Sequence, residues 1–143
     1  MANEWEVIEL YGPNGNGSIR RALIADGASV SIGTLLQMLD PRTASYSHMA
    51  KVAVIGVAAE EHIANKGITE ISVYTDGLFD VTVSGAPVLG SPLMTSLQDN
   101  KLQPMVDTDT TSAALINTLG NRIVAYAYET GTDQEKIAVR LKL

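Results

Sequence analysis

Few residues of this chain are equipped for chemistry, and their spacing decides how little they can do. The 143 residues include no cysteine, which removes disulfides, thiolate catalysis and cysteine-ligated zinc. His48 and His62 are the two histidines, and neither has a second one at metal-ligand spacing. His62 also has no cysteine to activate and no serine in a Gly-x-Ser-x-Gly elbow, so it reads as an exposed or hydrogen-bonded structural residue. Glu60 and Glu61 are adjacent and would diverge from a strand or a helix alike, as a solvated pair. Asp107 and Asp109, with Thr108 and Thr110, offer hard oxygen ligands. They lack the other carboxylates and the glycine of an EF-hand loop, and read as turn or helix-capping residues. Gly12 to Gly17 fit the first six positions of a phosphate-binding loop, but Ser18 stands where the lysine must be, leaving only a glycine loop. No catalytic group, metal ligand or cofactor site is expected, and the chain is read as a non-enzyme.

Charge narrows the partners. Ten Lys and Arg against sixteen Asp and Glu leave a net charge of −6 and a sequence pI near 4.7. Arg20-Arg21 is the single adjacent basic pair, whereas phosphate neutralisation needs clustered cations, so nucleic acid is not an expected partner. No run approaches the roughly 20 apolar residues of a spanning helix, and no membrane is expected. The start, MANEWEVIEL, is acidic and lacks the basic and apolar regions of a signal peptide, which points to synthesis in a cytoplasm.

The elements that must carry these residues are strands. Hydrophobic content is 45% but aromatic content only 5%, so Val, Ile, Leu and Ala must fill the core. The centre of the chain is Lys51–Val83. Val52–Ala59 is an unbroken small-apolar run, read as a strand buried on both faces, with a short helix ending at Gly67 as the rival. Ile71 and Val73, then Phe79, Val81 and Val83, alternate with polar residues around Asp76-Gly77, the dipeptide of a type I′ turn, which predicts a tight hairpin. Lys136–Leu143 alternates as well and is expected at an accessible edge, protected by its lysines. Asp99-Asn100 is expected to turn a hairpin, and Ala113–Leu119 to form a short helix before Gly120. Tyr126 and Tyr128 share one strand face, as a binding surface or, the favoured reading, as bulk for an aromatic-poor core.

An internal repeat organises the whole. Gly27–Leu36 is echoed by Gly85–Met94 with one deletion, Val54–Ala59 by Ile123–Tyr128, and Ile71–Tyr74 by Ile137–Arg140. The expected fold is therefore mainly β, a compact barrel or sandwich of two similar β units with one or two short helices. Residues 1–26 are read as an N-terminal arm and lead-in strand, and 27–143 as the β domain, repeated at 27–84 and 85–143. The arm, with Trp5, Val7, Ile8, Leu10 and Tyr11 ahead of the glycine stretch, is read either as a loosely held end or as a segment that adds to a neighbouring chain's sheet.

Three stretches, Ser31–Asp40, Val54–Ala59 and Ile71–Phe79, resemble the lambda-type head decoration, or capsid cement, proteins of tailed phages. In that family a Thr-Pro-Leu-Met-Leu-Asp-like start precedes a Gly-Ile-x-Ala-Val-Ala-Ala-like strand and a Phe-Tyr-x-Ser-Gly-Thr-Phe-like hairpin. Here Leu35 replaces the proline, while Ser91-Pro92-Leu93-Met94 restores it in the second half. The resemblance implies a virion protein, often trimeric, that binds major capsid proteins on the outer surface of an expanded head and stabilises their contacts. The five arm residues would then be candidate capsid contacts. A tail or fibre adaptor, or a carbohydrate-binding β module, is the alternative.

Overall fold

The computed structural model describes residues 3–11, 18–46, 52–105 and 123–143, and among them the chain is all β. The strands are β1 Glu6–Glu9, β2 Ile19–Leu23, β3 Leu35–Asp40, β4 Thr43–Tyr46, β5 Val54–Ala58, β6 Glu70–Tyr74, β7 Asp76–Thr82, β8 Pro92–Thr95, β9 Leu102–Pro104, β10 Ala125–Ala127 and β11 Lys136–Lys142. Strands β2-β4-β3-β5-β6 close into a barrel, and β1-β7-β11-β10-β8-β9 form a six-stranded sheet. The expected helix at 113–119 lies outside the described residues. The rival helix from Val52 is instead strand β5, buried along its whole length.

The barrel and the sheet are wound the same way. Neighbours run β2-β6-β5-β3-β4 in one and β7-β11-β10-β8-β9 in the other. The correspondence extends to single hydrogen bonds. Gly33 N–H donates to Ala58 O at 2.9 Å and Gly90 N–H to Ala127 O at 2.7 Å; Ala59 N–H reaches Ser72 O at 2.8 Å and Tyr128 N–H reaches Ala138 O at 2.9 Å. Glu60 accepts from Ser72 N–H at 2.8 Å, as Glu129 does from Ala138 N–H at 2.6 Å. Gly33 and Gly90 share a left-handed backbone, φ +89° and +85°, open to glycine without strain.

The frame of the repeat differs from the expected one. The two units run from Ile19 to Tyr74 and from Asp76 to Lys142 and meet at Thr75, not at 84/85. Strand β2, assigned to the arm region by its sequence, is the first barrel strand, and β7 opens the second unit. The predicted hairpin at Asp76-Gly77 is therefore not formed, because β6 and β7 belong to different sheets. Gly77 serves a close backbone approach instead: a Cβ there would lie 3.2 Å from Glu9 O and 3.0 Å from the Phe79 ring. Asp99-Asn100 does fall in the β8–β9 hairpin, with Asn100 at φ +57°. Strand β11 is not an edge either, since β7 and β10 flank it. Its charged residues mark an open face rather than an unpaired rim; Lys136 pairs with Glu6 at 2.9 Å and Arg140 with Asp76 at 2.9 Å on that side.

Two apolar clusters result. Leu36, Ile55, Ala58, Ile71 and Val73 fill the barrel, while the inner face of the sheet gathers Phe79, Val81, Leu93, Ile137, Val139 and Leu141. Into this second cluster the barrel also sends Leu35, Val54 and Val57 from its outer wall, with Tyr74 packed alongside. Strand β5 thus serves both cores, which explains its unbroken apolar sequence. The wall of the first unit packs on the inner face of the second unit's sheet.

Candidate docking surface

The N-terminal segment is already docked. Strand β1 adds antiparallel to β7, with Glu6 opposite Asp80, Val7 opposite Phe79 and Glu9 opposite Leu78. Trp5 is 3% exposed. Its backbone N–H donates to Gly33 O at 2.9 Å, its Nε1 to Asn100 O at 2.8 Å, and its ring stands 5.6 Å from that of Phe79. A buried indole needs a partner for its N–H, and Asn100 supplies one while accepting the Leu35 N–H on Oδ1 at 2.9 Å. The reading of this segment as a loosely held end is corrected accordingly. The indole is the largest ring available to an aromatic-poor core, and burying it here joins the two units. Of the five expected contact residues, Val7 and Ile8 are about half exposed, Leu10 packs partly against the core, and Tyr11 lies under Arg140.

A second surface forms on the outer face of the sheet. Arg140, held charged by its hydrogen bond to Asp76, sits 4.1 Å from the centre of the Tyr11 ring. The register puts Leu78, Arg140, Tyr126 and Pro92 in one row across β7, β11, β10 and β8. Tyr126 and Tyr128 are 38% and 49% exposed, which overturns their favoured reading as core. Ala125 and Ala127 occupy the inward positions of β10, and the core's bulk comes from Trp5 and Phe79. A loop bearing the exposed Val88 and Leu89 is tied beside them, Leu89 N–H donating to Thr130 Oγ1 at 3.1 Å. Tyrosine with arginine is the composition of protein-binding surfaces. In the first unit, the positions of Pro92, Tyr126 and Arg140 are held by Leu35, Val57 and Tyr74, all turned into the shared core.

The remaining candidates serve structure. His62 is buried, with Nδ1 2.6 Å from Ala28 O and Nε2 2.8 Å from Ile68 O. Both acceptors are carbonyls, so both ring nitrogens must donate and the imidazolium is the form that satisfies the site. The Ile68 and Ala28 carbonyls accordingly raise its pKa above the ordinary 6.5. Glu60 bridges Arg21 at 3.2 Å and the Ser72 N–H, while Glu61 is exposed. Among the described residues no three His, Asp or Glu gather as a metal site. His48, Asp107, Asp109 and Gly12–Gly17 lie outside the described residues. The sequence reading missed Asn100 as the join between units; its only local signal was a turn-forming dipeptide.

No protein-family model matches the sequence, and no curated protein matches it. Among solved structures, the chain is similar to the head fiber gp8.5 N base of bacteriophage phi29, at a TM-score of 0.51 and 16% identity. The alignment covers 87% of this chain and 93% of that one. At that identity the likeness is one of fold, and it extends over most of both chains.

Proposed function

We propose that this chain is a structural component of a tailed-phage virion, seated on the outer surface of the head and bound there to the major capsid protein. The observation that carries the reading is the fold-wide likeness to the phi29 head fiber base, reached independently of the sequence resemblance to head decoration proteins. The role is adhesive rather than catalytic. A protein that binds only the assembled shell stabilises it by mass action. The exposed Val7 and Ile8 and the tyrosine–arginine face around Tyr126 and Arg140 are the surfaces offered for contact. Trimeric association on the shell belongs to the same proposal.

Co-sedimentation of the purified chain with emptied, expanded heads tests it. Saturable binding supports the reading, and absence of binding at tens of micromolar overturns it (a ~10 µM Kd is already weak for a specific contact). A second reading, the base of a fibre rather than a cement, is favoured by what the phi29 protein is. Under that reading the bound chain adds little to the resistance of heads to heat or dilution, whereas a cement raises it.

A further inference from the structure

Among the described residues, strand β2 carries a pairing edge that its own barrel leaves largely unused. Strand β6 pairs with it from Ile19 to Leu23, but β4 meets its other side only at Leu23–Thr43, where Leu23 N–H donates to Arg42 O at 2.6 Å. Backbone groups point to alternate sides along a strand. Those of Ile19 and Arg21 therefore share the direction of Leu23 and face outward beyond the β3–β4 turn. Beside them lies an open cleft of about 310 Å³ lined by Arg20, Arg21, Ala22, Leu23, Arg42 and Glu70.

The second unit shows what such an edge accepts. Through their partners on β6 and β11, Ile19, Arg20 and Arg21 correspond to Leu78, Phe79 and Asp80. Along those three residues the extended, acidic β1 adds as a strand. There Glu6 faces Asp80, a like-charged pair relieved by Lys136 at 2.9 Å. On β2 the position of Asp80 is Arg21, which already bridges Glu60 and Glu70 at 3.2 Å each, so an acidic residue at that place would share a guanidinium instead of facing a carboxylate. The basic character is local: three of the ten Lys and Arg residues line this cleft in a molecule of net charge −6. Ile19 and Leu23 lie exposed along the same strand.

We propose that the open edge of β2, from Ile19 to Ala22, is a strand-addition site that takes an extended acidic segment of a partner protein, its carboxylates meeting Arg20, Arg21 and Arg42. Main-chain bonds supply affinity in such a mode, and the flanking charges select the sequence. Naming the partner as the shell subunit rests on the virion reading; the site itself does not.

The test uses the full chain and a labelled peptide of residues 4–11, EWEVIELY, as a model acidic strand. Expected is saturable binding that weakens with added salt and falls about tenfold, the equivalent of ~1.4 kcal/mol, when Arg42→Glu is introduced. The same peptide with its three glutamates changed to lysine should not bind. A peptide N-methylated at alternate amides separates strand addition from charge attraction on the unaltered protein, and it should lose binding while keeping its charge. Equal binding of the acidic and lysine peptides, indifference to Arg42→Glu, or full binding of the methylated peptide would overturn the proposal. No phage head enters this measurement, so its failure is distinguishable from a failure of the head-binding reading.

Discussion

The two halves of this molecule share one winding and put the same wall to opposite uses. In the first unit Leu35, Val57 and Tyr74 turn that wall into a shared core; in the second, Pro92, Tyr126 and Arg140 hold the same positions and face solvent. The edges differ in the same sense. In each unit a single parallel residue pair brings the outermost strands together, Leu23–Thr43 for β2 and β4 and Val83–Leu102 at the end of β7 and β9, but among the described residues only β7 also takes up a further strand, β1. In this chain only one copy of that face is buried. One copy becomes the internal joint, and the other is left for the outside.

Removing the joint should cost most. Trp5→Ala empties the space between the halves and removes the indole N–H from the Asn100 carbonyl, so the expected loss is about 3–5 kcal/mol in urea unfolding. A loss under about 1 kcal/mol would mean that Trp5 is not what holds the units together. Gly33 and Gly90 sharpen the contrast at matched backbone angles. Gly90→Ala should cost only the left-handed penalty of about 1–2 kcal/mol, because nothing lies within 4 Å of its Cβ position. Gly33→Ala should cost more, since its Cβ would fall 2.5 Å from Trp5 O. Equal losses would break the assignment of that approach to one unit alone.

Exchanging the wall residues probes the same asymmetry from the side chains. Val57→Tyr forces a ring into the filled joint and should destabilise by about 1–3 kcal/mol, while Tyr126→Val, the reverse change at the corresponding exposed position, should stay within about 0.5 kcal/mol. The smallest expected effect is a slope. His62 clamps Ala28 and Ile68 in the first unit, where the second has Gly131. Its pKa is raised by folding, so its contribution is complete below the unfolded value near 6.5 and fades as pH rises through the folded value. Stability relative to His62→Gln should therefore fall between pH 6.5 and the alkaline side, and a rise over that window would refute the doubly donating ring.

Much of the scaffold was legible in the sequence because strand alternation and repeated glycine turns are local signals. Gly27–Leu36 against Gly85–Met94 locates two copies of a left-handed turn, and the centre of Val52–Ala59, Val54–Ala58, is the strand covered on both sides that its sequence predicts. Partnership between strands was not legible. Asp76-Gly77 has the composition of a hairpin turn, yet its glycine is there for the approach of Glu9, about seventy residues earlier in the chain. The alternation of β11 shows that one face is solvated but cannot show that both of its edges are taken. For Tyr126 and Tyr128 the pattern fixes a shared face without saying whether anything covers it. Trp5 was misread for the same reason: its partners, Gly33, Phe79 and Asn100, are distant in sequence, and no local pattern announces them.

Thr75 carries a consequence of its own. Its N–H donates to Ser18 O at 3.0 Å, and its carbonyl accepts the Leu143 N–H at 3.1 Å. The start of the first copy, the hand-over to the second and the end of the second are thus fastened to one another at a single knot. A module whose entry and exit coincide can be doubled in a gene without rerouting any strand, and cargo fused behind Leu143 would leave from the hand-over point while both windings stay intact.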